Sequence, residues 1–256
     1  MSDDGDPRWW ASRAGVALLL VVALAWVYLA WMAWGMEHMD AGMVLMPRMT
    51  GWQPTDLLLV WTMWGFMMAA MMLPSATPML LSFAAITDRA ASAQPAMETI
   101  AFAGGYVLVW GTFSAAVTLL QWAALEARLI TPGMEASGPW VAGALLVLAG
   151  VYQFTRWKLA CLALCRAPMR FLVKYWRSGT RGALIMGVRH GLYCLGCCWA
   201  LMLLLFVLGV MNLFWIIALA LLVLAEKIVP NARWVVRLSG AGFIGWGAWL
   251  VARAVL

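Results

Sequence analysis

The sequence predicts an all-α fold: a polytopic bundle of transmembrane helices, with about seven spans (six is the alternative count) and a cytoplasmic N-terminus. Three observations predict it. Of 256 residues, 65% are hydrophobic and only 11% are charged, against about 25% charged in soluble domains. The apolar residues are gathered into runs of roughly 20, the length that crosses the hydrocarbon of a bilayer. Eighteen tryptophans suit the headgroup interface, and Trp9, Trp10, Trp31, Trp34, Trp52 and Trp61 stand at expected span edges.

Taken in order, residues 1–13 form a polar tail. The apolar run 14–34 exceeds the core of a signal peptide and lacks a small-x-small cleavage site, so it is expected as an uncleaved first span. Residues 35–55 form a methionine-rich outer loop. The second span, 56–86, is expected to be broken by Pro74 and Pro78. The third and fourth cover 99–125 and 138–157, and 158–189 is a basic cytoplasmic segment with no run long enough to span. The fifth holds a cysteine cluster from His190 and ends near Gly209; 212–229 and 234–254 are the sixth and seventh. With no repeat of fixed period, residues 1–256 read as a single integral membrane domain.

Lys and Arg collect on the cytoplasmic side of membrane proteins. With the N-terminus inside, fourteen of the seventeen fall there, eight of them between Arg156 and Arg189, and only Arg48, Arg128 and Arg253 fall outside. The net charge of +6 therefore serves topology, and no soluble basic domain exists to bind nucleic acid. The bilayer of a cell's inner membrane is the expected surrounding. Oligomeric state is not legible.

His190, Cys194, Cys197 or Cys198, and Met202 recur at three to four residues, along one side of one helix. In the expected topology Cys194, Cys197 and Cys198 lie one to two turns into the fifth span. Cys161 and Cys165 lie just beyond the fourth, on the same reducing side, where structural disulfides are disfavoured. Thiols beside an imidazole suit copper or zinc, with copper favoured. The candidate metal ligands are thus Cys161, Cys165, His190, Cys194, Cys197, Cys198 and Glu226, the last as a ligand or as the partner that orients His190. Methionine, a neutral soft ligand for Cu(I), occurs 19 times. Met36, His38 and Met39 in the outer loop, and Met63, Met67 and Met71 at successive helical turns, form a possible secondary set. Methionine also fills core gaps.

The segments MWGFMMAAMMLPSATPM (63–79), YQFTRWKLACLALCRAP (152–168) and GLYCLGCCWALMLLLFVLGVMNLFWI (191–216), with Glu226 and Lys227 following, resemble a bacterial family of uncharacterised "predicted metal-binding" integral membrane proteins. The resemblance implies a multi-pass protein holding metal through Cys161, Cys165, Cys194, Cys197 and Cys198.

The expected function is soft-metal binding, copper before zinc, for uptake, sequestration or delivery, with a metallochaperone or a membrane complex as possible protein partner. A membrane thiol-disulfide oxidoreductase is one alternative, disfavoured because no C-x-x-C opens a helix in a thioredoxin-like setting. An assembly factor or scaffold is another, suggested by Gly187-x3-Gly191 and by Gly240, Gly242, Gly245 and Gly247. Two histidines leave no Ser-His-Asp set, and no phosphate-binding glycine loop occurs, so no catalytic residue is assigned.

Overall fold

The computed structural model describes residues 7–37, 51–90, 92–131 and 136–255. They are helical almost throughout: α1 (Pro7–Glu37), α2 (Pro54–Arg89), α3 (Pro95–Glu126), α4 (Pro139–Gln153), α5 (Arg156–Cys165), α6 (Pro168–Tyr175), α7 (Gly179–Leu203), its short continuation α8 (Leu205–Leu208), α9 (Leu213–Ile228) and α10 (Arg233–Val255). Proline sits in the first turn of α2, α3, α4 and α6, where its missing N–H would have had no helical acceptor. At the start of α2 the Gln53 N–H donates to the Asp56 carboxylate at 2.8 Å, so a free donor is satisfied.

Among the described residues, five helical stretches are long and apolar enough to cross a membrane: Ala14–Gly35, Pro54–Arg89, Pro95–Glu126, Gly179–Leu208 and Arg233–Val255. The other two expected spans form helices, but short ones. α4 has 15 residues and α9 has 16, about 22–24 Å at 1.5 Å per residue against a hydrocarbon thickness of about 30 Å. Large apolar side chains stand exposed on the outer faces, among them Leu19, Ile100, Leu148, Phe214 and Trp234.

Two expectations need correction. α2 runs unbroken through Pro74 and Pro78; each proline removes one backbone bond, to the carbonyls of Ala70 and Pro74, and side chains bond the neighbouring carbonyls. Ser75 and Tyr106 donate to the Met72 carbonyl at 2.8 and 3.3 Å, and Thr77 donates to that of Leu73 at 3.0 Å. The cysteine helix also begins at Gly179 rather than near His190. Cys194 is therefore fifteen residues inside α7, about four turns, not one or two. Arg181 and Arg189 lower the apolar content of this first half. Arg181 is exposed, and the Arg189 guanidinium lies 5.0 Å from the Tyr175 ring centroid, so neither charge enters the core.

The reason α7 can start so early is its fit against α3. A Cβ on Gly105 would stand 2.3 Å from the Leu184 carbonyl oxygen, and one on Gly187 would stand 2.0 Å from that of Phe102. Backbone meets backbone, a contact only glycine permits. A second seam joins α4 to α10, where Cβ atoms on Gly143 and Gly150 would stand 2.8 and 2.7 Å from the carbonyl oxygens of Gly247 and Gly240. Gly187, Gly191, Gly240 and Gly247 are thus used inside the fold, whereas Gly242 and Gly245 face open space.

A buried polar cluster binds α4, α5, α9 and α10. Lys158 Nζ donates to Glu226 Oε2 at 2.7 Å, with side chains 0% and 1% exposed. Gln153 Nε2 donates to Glu226 Oε1 at 2.8 Å and to Ser239 Oγ at 2.9 Å. α2 contributes methionine to the core instead: Met63, Met67, Met68, Met71, Met72 and Met79 are all buried.

The seam and the ion pair each give a stability prediction, read by thermal unfolding in mild detergent. Gly105→Ala should cost about 1–3 kcal/mol through overpacking, while Gly104→Ala, whose Cβ meets nothing within 4 Å, should be neutral or stabilising by up to about 1 kcal/mol. Equal melting of the two variants would refute the seam. Lys158→Met leaves the Glu226 carboxylate buried without its cation and should cost about 3–5 kcal/mol, much of it recovered in Lys158→Met/Glu226→Leu. A double variant no more stable than the single one would show that the pair is not the source of the loss.

Candidate metal centre

α7 carries three thiols into the core, and α5 brings two more to the same place. All five cysteines are free; Cys194, Cys197 and Cys198 are buried, and Cys161 and Cys165 are half-buried. Cys165 stands beside Cys194 and Cys197, whose thiols act on its own. Cys161 comes close through Gly196, where a Cβ would stand 2.8 Å from the Cys161 sulfur. The bare backbone at Gly196 is what lets α5 approach α7 at this level. The Tyr152 hydroxyl, from the last turn of α4, donates to the Gly196 carbonyl, and Arg166, just after α5, donates to the Val229 carbonyl.

Cys194 is the centre of the group. The thiols of Cys165, Cys197 and Cys198 lie around its own. Lys227 Nζ donates to its sulfur at 3.0 Å, and the Tyr106 hydroxyl lies 3.2 Å from it. Lys227 also donates to Ser75 Oγ at 2.7 Å, so one ammonium group joins α9, α7 and α2. Cys197 and Cys198 turn their thiols onto the Cys194 carbonyl at 3.0 and 2.9 Å. In these rotamers, no three His, Cys, Asp or Glu side chains among the described residues stand as a ready metal-ligand set.

The two thiols of α5 are shifted in the same direction. Hydrogen bonds to Cys194 and Cys197, followed by burial, hold the Cys165 thiol well above its ordinary range. Burial, followed by the neighbouring Cys197, pushes Cys161 up. Both favour the protonated thiol, since burial and nearby thiolates disfavour a further negative charge.

His190 is buried in an aromatic cage. Its ring stacks 5.5 Å from Tyr106 and 6.2 Å from Phe102, and meets Phe171 edge-on at 5.4 Å. Its Nδ1 has no hydrogen-bond partner among the described residues. Glu226 was expected to orient this imidazole but is taken up by Lys158 and Gln153. The residue that reaches the thiols from α9 is its neighbour Lys227. One step along a helix is a rotation of about 100°, so adjacent residues face different partners.

The structure therefore brings together Cys161, Cys165, Cys194, Cys197 and Cys198, places His190 one turn from Cys194, and sets Glu226 in a separate polar cluster. Lys227, Ser75, Tyr106 and Met72 surround the thiols without having been expected there. The only sequence signal for them was an ionisable residue at the end of an apolar run and a hydroxyl between two prolines. Met63, Met67 and Met71 are buried on α2, while His38, Met39 and the side chain of Met36 lie outside the described residues.

A family model described as copper chaperone, PpoB2, matches residues 61–250, a stretch that contains every described residue of the thiol group. No curated protein and no solved structure matches the chain. Since the match covers well over half of the sequence, and the donors it encloses are soft ones, the chain belongs to the PpoB2 family of copper chaperones.

Proposed function

We propose that this protein is a multi-pass protein of the bacterial inner membrane that binds Cu(I) among its cysteines and holds it for delivery. The observation that carries the reading is the gathering of five free thiols from α5 and α7 around the buried Cys194 and Cys197. Thiolate and thioether donors select Cu(I) over hard cations, and a buried site on a reducing face keeps the thiols from oxidation. The ion is cargo, with no catalytic step assigned to it.

The proposed ligands are Cys194, Cys197 and Cys198 on α7 with Cys165 and Cys161 on α5. His190 Nδ1, buried without a partner among the described residues, is available as a nitrogen donor. Binding requires Cys197 and Cys198 to rotate off the Cys194 carbonyl, a change of side-chain rotamer that leaves the helix intact. Ser75 Oγ, already bonded to Lys227 at 2.7 Å, can keep the ammonium hydrogen-bonded when Cys194 turns to the metal. Glu226 acts in this reading as the counter-ion of Lys158.

For the membrane arrangement we take seven crossings with the N-terminus inside, α4 and α9 being completed by the segments that flank them. The five long apolar helices and the basic stretch 156–189 support it.

Purified in mild detergent and loaded with Cu(I) under anaerobic conditions, the wild-type protein should retain copper through desalting. The Cys194→Ser/Cys197→Ser/Cys198→Ser variant should lose most of it while staying monodisperse. Elemental analysis of both proteins decides the matter: equal, near-zero copper and zinc in the two would sink the proposal, and zinc in place of copper would overturn the choice of ion.

A further inference from the structure

Six methionines lie between positions 63 and 79 of α2, and all are buried. A helix sorts them into rows. Met68, Met72, Ser75 and Met79 fall at i, i+4, i+7 and i+11, on one face. Met63, Met67 and Met71 form the row beside it. The first row is the one turned to the thiols, because Ser75 receives Lys227 and the Met72 sulfur lies 3.8 Å from Cys198 Sγ.

This face is held in place from two sides. Tyr106 bridges the Met72 carbonyl at 3.3 Å and the Cys194 sulfur at 3.2 Å. Lys227 bridges Ser75 Oγ at 2.7 Å and the same sulfur at 3.0 Å. The thioether of Met72 is thus fixed against the thiol group by the polar contacts of its own neighbours, a constraint that gap-filling packing would not need. Two bonds of about 2.3 Å, the zinc–thiolate length, span a sulfur pair 3.8 Å apart at an angle of about 110°, which a three- or four-coordinate ion adopts without strain.

We infer that Met72 is a thioether ligand, and that Met72 and Cys198 together form the point where Cu(I) passes between the cysteine group and the methionine row of α2. The inference rests on the copper-binding reading above and adds to it the ligand through which the ion leaves or enters. The transfer exchanges one sulfur for another at Cu(I), with no change of oxidation state. A neutral thioether binds the ion more weakly than a thiolate does, so the Met72 side is the one from which it is released. Met68, one turn along and also buried, is the next sulfur on that face.

The test uses the full-length protein with its methionines replaced by selenomethionine, loaded anaerobically with Cu(I), and X-ray absorption at the copper edge. Selenium at bonding distance from copper is expected in the wild type. It should be lost in Met72→Leu, a nearly volume-conserving change, with copper still bound, and should persist in Met68→Leu. Copper bound with sulfur neighbours only in the wild type, or a selenium signal unchanged in Met72→Leu, overturns the inference and leaves the thiol site standing. A wild-type protein that binds no copper overturns both. The wild-type spectrum alone decides whether any methionine is a ligand, even where a variant fails to fold.

Discussion

The bond between Lys227 and Cys194 is the constraint on which the interior of this protein depends. An ammonium group buried among apolar helices loses its hydration and must recover polar partners inside the fold. Lys227 finds them in Cys194 on α7 and Ser75 on α2. That requirement fixes the end of α9 against the middle of two long helices. It also fixes which faces of α2 and α7 look inward, since Ser75 and Cys194 must both reach the same nitrogen. The Met72–Cys198 contact, the Tyr106 bridge and the approach of α5 to α7 all lie within a turn or two of that point.

The all-helical class, the positions of the apolar helices and the meeting of Cys161 and Cys165 with the cysteines of α7 were legible in the sequence. They rest on quantities that a sequence carries directly: run length, residue spacing, and which side of the membrane the positive charges would choose. The rotation of one helix against another is not such a quantity. Spacing shows that Met68, Met72 and Ser75 share a face, but not that this face meets Cys198 rather than the row of Met63, Met67 and Met71. For the same reason Glu226 and Lys227, adjacent in sequence, read as one feature and proved to serve two clusters. The start of α7 was hidden by Arg181 and Arg189, which lower the hydropathy of a stretch whose glycines pack it onto α3. Hydropathy measures affinity for lipid and says nothing of a helix half that is buried against protein.

The proposed cargo explains why the centre combines so many thiols with so little rigidity in their presentation. A site that must give its metal away gains if each ligand has another partner to turn to as it leaves. Here Cys197 and Cys198 have an alternative partner in the Cys194 carbonyl. Each can leave the ion by taking the proton that an acceptor's incoming thiol gives up and rotating back to that oxygen, where its hydrogen is again satisfied. The cost of releasing a ligand is thereby lowered by roughly the net worth of a buried hydrogen bond, on the order of 1 kcal/mol, and release can proceed one sulfur at a time.

The same logic places the site where the fold has its joint. Glycine seams bind α3 to α7 and α4 to α10 through backbone contact, and such contacts admit no sliding without a clash. Between these two rigid pairs stands α9, whose last turn sends Glu226 to Lys158 and Gln153 on one side and Lys227 to Cys194 and Ser75 on the other. Polar contacts, unlike glycine seams, can be exchanged for other polar contacts. The thiol group therefore touches an element of the interior that is held by replaceable bonds. A cation arriving at Cys194 competes for the sulfur that Lys227 holds, and so acts directly on the bond that positions α9 between the two seams.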